Sequence, residues 1–120
     1  MIRRVEKPWG HEIIWAHTDR YVGKLLHIDA GQQLSYQYHE LKEETLRVER
    51  GRMLLVYDHG QGEGRQERVM EAGDVVHIPP GMRHRMIAET DVDVIEVSTP
   101  ELDDVVRLED AYGREGTSTP

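Results

Sequence analysis

The chain has no cysteine among its 120 residues, which excludes a disulfide framework and a thiolate metal site alike. Any metal must be held by histidine, carboxylate or amide groups. Phenylalanine is absent too, so two Trp and five Tyr supply all the aromatic bulk, and the core has to be built on Val, Ile, Leu and Met. Basic residues are in the minority. Fifteen Lys and Arg against 23 Asp and Glu leave a net charge of −8, which argues against nucleic acid, because a phosphate backbone needs a basic face. Long apolar runs are missing as well: Met53 to Tyr57 is far too short to span a bilayer, and Met1-Ile-Arg-Arg lacks the apolar stretch of a signal peptide. The expectation is a cytoplasmic protein with no membrane partner, forming one domain over residues 1–115 with 116–120 as a flexible tail.

What the sequence does contain is a series of short β-branched runs bounded by Gly, Pro or charged turns, at 12–16, 21–28, 33–39, 44–49, 53–58, 65–70, 75–78 and 92–97. Strands at this spacing predict an all-β sandwich or barrel. The Gly60 to Gly64 stretch reads as a flexible hairpin loop rather than a phosphate cradle, since no strand-to-helix pattern surrounds it and its neighbours are acidic. Towards the end the pattern changes. Thr99 as cap, Pro100 at the first turn, and Leu102, Val105 and Val106 at helical spacing predict a short amphipathic C-terminal helix packed on the barrel.

The most informative feature is Gln37-Tyr-His39 followed by Glu44, with His84 far downstream inside Pro79-Pro-Gly81-Met-Arg-His84. Two residues apart on a strand, Gln37 and His39 point to one face, here the barrel interior. Glu44 follows a bend and can return beside them, and His84 must arrive from a distant strand. Four such groups can surround one divalent ion and still leave positions for water or substrate, as a catalytic site requires. Taken singly, each is an ordinary polar residue, and His11, His17, His27, His59 and His77 are read that way. Together, four unpaired interior polar groups would cost a few kcal/mol each in desolvation, which a bound metal removes.

These residues carry a resemblance. Gly31, His39, Glu44 and Gly51, then Gly73, Pro79, Gly81 and His84, reproduce the spacing of the two cupin motifs, with Gln37 where many cupins have their first histidine. Lys7-Pro-Trp-Gly10, Tyr21-Val-Gly-Lys24, Leu34 to His39, His84-Arg85, Ile95-Glu-Val97 and Asp103 to Arg114 look like the cupin domain of type II mannose-6-phosphate isomerases. The resemblance implies a single cupin barrel, a double-stranded β-helix or jelly roll, with Gln37, His39, Glu44 and His84 as metal ligands. Zinc is the first choice, and manganese, iron or nickel also suit mixed N/O ligands. Departures from the family pattern are Leu46 for a Trp, Lys42 for an Arg, Ala88 for an Asn, a shorter link from Val97 to Asp103, and no guanylyltransferase in this sequence, so nucleotide transfer is not expected. The metal set is untouched by them; the sugar is what they bear on.

The implied reaction is isomerisation of a phosphorylated sugar through an enediolate, in which a metal steadies the developing negative charge and a base carries a proton between neighbouring carbons. By family register the base candidates are Lys24, Lys42, Glu43 and Glu96. Lys24, Arg85 and Arg107 are the cations expected to grip a phosphate, with Lys24 and Arg107 assigned to the chemistry itself. The alternative for Arg107 is an ion pair with Glu109 or Asp110. Two other functions fit the same ligand set, an iron-dependent dioxygenase and a non-catalytic sugar-binding module, the former disfavoured by the weak amide donor Gln37. The resemblance also suggests a homodimer, with Ile13, Ile14 and Trp15 as a pairing face unless they fill the barrel's own end.

Overall fold

The computed structural model describes residues 2–117. Its twelve strands are β1 (Arg3–Lys7), β2 (Gly10–His17), β3 (Val22–Ile28), β4 (Tyr36–Tyr38), β5 (Glu44–Arg50), β6 (Arg52–Asp58), β7 (Gln66–Glu71), β8 (Val75–Ile78), β9 (Arg83–Ala88), β10 (Val92–Ser98), β11 (Val106–Glu109) and β12 (Gly116–Thr117). They make two six-stranded antiparallel sheets, one in the order β1-β2-β3-β10-β5-β8 and the other β12-β11-β4-β9-β6-β7. Each of the eight strands expected from the sequence is present within a few residues. The expectation did not list β1, β9, β11 and β12. Strand β9 is charged at its start and short, yet it sits between β4 and β6 and delivers His84.

Alternation along the strands builds the interior. In β10, Val92, Val94, Glu96 and Ser98 are buried, while Asp93, Ile95 and Val97 face outward, and Val94 lies opposite Leu26 of β3 and Val48 of β5. Methionine takes the place phenylalanine would fill, since Met53, Met70, Met82 and Met86 are all buried in the apolar cluster. Their flexible thioethers adapt to irregular gaps between the sheets. The inward positions also change character along each strand. On β3 Lys24 is followed by Leu26 and Ile28, on β5 Glu44 by Leu46 and Val48, and on β9 His84 by Met86 and Ala88. One end of the barrel is a hydrophobic plug, and the other is polar.

The C-terminal helix is not there among the described residues. Residues 99–105 instead form a strap of turns, with Leu102 N–H donating to Pro100 and Val105 N–H to Asp103, and the chain then enters β11. Val105 and Arg107 are buried while Leu108 is exposed, a period of two rather than 3.6. The open edge of β4 decides the outcome. Its unpaired backbone groups take Val106 and Arg107 as partners, and a helix here would leave them unpaired. Gly116 and Thr117 pair with β11 in turn, and the remainder of the expected tail, 118–120, lies outside the described residues. Of the expected pairing face, Ile14 is buried in the barrel, whereas Trp15 is exposed on the outer face.

Candidate metal centre

Strand β4 lies directly opposite β9 at one register pair, Gln37 with His84. The amide and the imidazole therefore share an inner face of one sheet. His39 leaves β4 one residue later, and its carbonyl accepts the Gly81 N–H at 2.8 Å, which ties it to the loop that presents His84. Glu44 comes from β5 in the other sheet, so the cluster bridges the two layers. The ligating atoms of His39, Glu44 and His84 lie within 4.8 Å of one another, and all three residues are buried.

Hydrogen bonds fix the direction of each imidazole. The Nδ1 of His39 donates to the carbonyl of Asp104 at 2.6 Å and that of His84 to the carbonyl of Met82 at 3.0 Å. Because a carbonyl only accepts, each ring carries its hydrogen on Nδ1 and turns its Nε2 inward, the usual support for a metal-bound histidine. Both Nε2 atoms aim at the same Glu44 oxygen, at 3.1 and 3.5 Å, and Nε2 of His84 has no hydrogen-bond partner. Three lone pairs converging in a buried space repel one another. One divalent cation relieves all three contacts together, so the donor set fits a metal of the zinc, manganese, iron or nickel type. Burial acts against charge on Glu44, but the Lys42 ammonium holds its carboxyl well below the usual range. It stays an anionic donor. Gln37 lines the same space, its Oε1 accepting the Ser35 hydroxyl at 2.5 Å, with a second lone pair to offer.

The cluster forms one wall of a narrow cavity at the polar end of the barrel. Lys24, Lys42, Glu96 and Arg107 line it, and Arg85 and Glu43 do not. Strand alternation explains Arg85: its neighbour His84 points inward, so Arg85 points out, donating from Nε to the carbonyl of Leu34 and from Nη2 to that of Glu109, both at 3.0 Å. Glu43 is exposed and accepts from His77 at 2.6 Å. Lys42 sits 2.9 Å from Glu96 and 3.7 Å from Glu44. Burial opposes its charge, yet Glu96 and then Glu44 outweigh that and raise its pKa, which favours the ammonium over the free amine.

Sequence reasoning missed Glu12, Lys7, Asp104 and Arg114, all of which line the cavity. Glu12 is buried and receives Lys24 Nζ at 3.3 Å. A signal for it existed, because Glu12 has the same strand parity as the buried Ile14. Arg107 makes neither of its expected ion pairs. Glu109 is taken by Arg65 and Arg85 and Asp110 by Arg114, leaving the Arg107 Nε buried without a partner among the described residues. Burial and then the nearby Arg114 lower its pKa.

The cupin domain family matches residues 24–99. This chain is a cupin. Mannose-1-phosphate guanylyltransferase ManC of Salmonella typhimurium is 33% identical over 119 residues, covering 95% of this cupin and 24% of the relative. The corresponding Escherichia coli enzyme is 32% identical over 117 residues, covering 93% and 23%. This cupin thus spans about a quarter of the length of those relatives. Among solved structures, KdgF from Halomonas sp. superposes with a TM-score of 0.70 at 25% identity, covering 83% of this cupin and 87% of that chain. Oxalate decarboxylase of Bacillus subtilis, described with Mn(II) centres, gives a TM-score of 0.76 at 18% identity over 88% of this cupin and 30% of that chain, a likeness of fold. Several of these relatives are named for carbohydrate chemistry. Among the described residues no helix is long and apolar enough to cross a membrane.

Proposed function

We propose that this cupin is a metal-dependent isomerase of a phosphorylated sugar, with mannose 6-phosphate as the first substrate to try. The observation that carries the reading is one cavity holding both a buried His39, Glu44 and His84 cluster and a buried, carboxylate-free guanidinium, Arg107. His39, Glu44, His84 and Gln37 would hold the ion, zinc first. When bound, the ion supplies Lewis acidity that favours loss of a proton beside a sugar carbonyl.

The chain's own residues divide the remaining work. Arg107, with Lys24 and Lys7 on the same walls, attracts the substrate's anionic group, and a guanidinium can hold a phosphate through two hydrogen bonds. Lys42 keeps positive charge beside Glu44 and Glu96. With Lys42 favoured as the ammonium and Glu43 outside the cavity, Glu96 and Glu12 are the carboxylates placed to carry a proton. The strap and Leu102 narrow the mouth against water. A homodimer, if formed, would use the outer face bearing Trp15, which sedimentation can read.

The decisive experiment incubates zinc-loaded protein with mannose 6-phosphate and related aldose phosphates and measures ketose phosphate. Turnover that falls at least tenfold in Glu96→Gln or Glu12→Gln supports the reading; no turnover of any sugar phosphate sinks it. One observation favours a second reading, a non-catalytic sugar-binding cupin: both interior carboxylates already face a lysine. Saturable sugar-phosphate binding without product over long incubation would select it.

A further inference from the structure

The strap between β10 and β11 does more than cover the mouth. At its end Asp104 is the hub of the bonds around one ligand. The Asp104 carboxylate accepts three successive backbone N–H groups, from Glu40 at 3.0 Å, Leu41 at 2.6 Å and Lys42 at 2.8 Å. Its backbone carbonyl meanwhile accepts His39 Nδ1 at 2.6 Å. At the other end of the strap Thr99 N–H donates to the Glu43 carbonyl, and Glu43 N–H donates to Thr99 Oγ1, both at 3.0 Å. Residues 40–43 are the whole link between His39 and Glu44. Every backbone N–H in it is therefore held by the strap, from a segment about sixty residues further along the chain.

We infer that Asp104 is a positioning residue for the metal centre, setting the ring orientation of His39 through its carbonyl and the spacing of His39 from Glu44 through its carboxylate. The inference rests on the metal reading above. Its physical content is pre-organisation. Freed from the Asp104 carboxylate, the linking residues regain backbone freedom, and the cost of fixing them again falls on ion binding. Apparent affinity drops by the fraction of molecules in which the ligands are already assembled. Converging N–H groups make an anion cradle, and here an internal carboxylate fills it, so the bend is locked without a solute. The coupling is reciprocal: an ion that draws His39 and Glu44 together tightens the strap.

The test measures zinc affinity by competition with a chromophoric chelator for the wild type, Asp104→Ala, Asp104→Asn and Asp74→Ala. Asp74 is the control because its carboxylate also accepts a backbone N–H, that of Glu71, in a turn outside the cavity. The expected result is a 10–100-fold loss of affinity in Asp104→Ala, a smaller loss in Asp104→Asn, which keeps one acceptor oxygen, and less than a twofold change in Asp74→Ala. Equal affinities for Asp104→Ala and wild type, or an equal loss in Asp74→Ala, would overturn the inference while leaving the metal site standing. A wild type that binds no zinc would remove the metal reading itself, and this inference with it. Hydrogen exchange on the wild type needs no variant to fold: zinc should slow exchange at the amides of Glu40, Leu41 and Lys42 and across 99–105. Unchanged exchange in a zinc-bound sample overturns the coupling.

Discussion

Arg107 shows how a single buried side chain can weigh against the fold. A buried Nε without a partner carries a desolvation cost that nothing in the described residues offsets. Arg107→Met, close in length and apolar, should therefore raise the stability of the ligand-free protein by about 1 kcal/mol, seen as a higher thermal midpoint. The same variant should lose the stabilisation that inorganic phosphate or a sugar phosphate gives the wild type. If phosphate shifts the two midpoints equally, Arg107 is not the anion contact. Asp110 is the contrasting case. Burial pushes its carboxyl up, but Arg114, reaching it at 2.8 Å, more than reverses that and leaves it below its ordinary value. A lowered folded pKa means stability present above the unfolded carboxyl value of about 3.9 and lost as pH falls through the folded one. The gap in stability between wild type and Asp110→Asn should accordingly be constant from pH 7 to about 5 and close below about pH 4, which melts across that range would show.

At the scale of elements, the turn joining β5 to β6 is tightly constrained. Gly51 has φ +90°, and a Cβ there would lie 2.1 Å from the carbonyl oxygen of Asp91 on a neighbouring turn. Gly51→Ala should cost about 2–3 kcal/mol, read by urea unfolding, because both the backbone conformation and the space are wrong. That glycine was visible in the sequence as a turn former. So were the strands whose alternation is strong, such as Val92 to Val97, and the convergence of Gln37, His39, Glu44 and His84 on one space, since they sit in motifs of fixed spacing. Other elements depend on partners that no local pattern encodes. The segment after Thr99 has a cap, a proline and helical spacing, yet the free edge of β4 makes it a strand. Lys24 was singled out in the sequence but Glu12 was not, because only the pairing of β2 with β3 brings the two together inside. Arg85 shows the converse. Its family register matches the expectation, but one step along β9 from His84 places it on the far side of the sheet.

For the molecule as a whole, the ion should act as a staple between the sheets, because Glu44 belongs to one and His39 and His84 to the other. Zinc at a hundred times its dissociation constant should add about 2.7 kcal/mol to unfolding, and a strong chelator should return the thermal midpoint to the metal-free value. A midpoint indifferent to both would exclude an ion at this site. The polar end and the hydrophobic plug belong to the same strands, which has a consequence for how such a chain can change. Positions 24, 44, 84 and 96 line the cavity, while 26, 28, 46, 48, 86, 88, 92 and 94 close the barrel one rung away. Exchange of the first set leaves the second intact. What the cavity accepts can therefore be rewritten without touching the rungs that close the barrel, since the two are set at opposite ends of one ribbon.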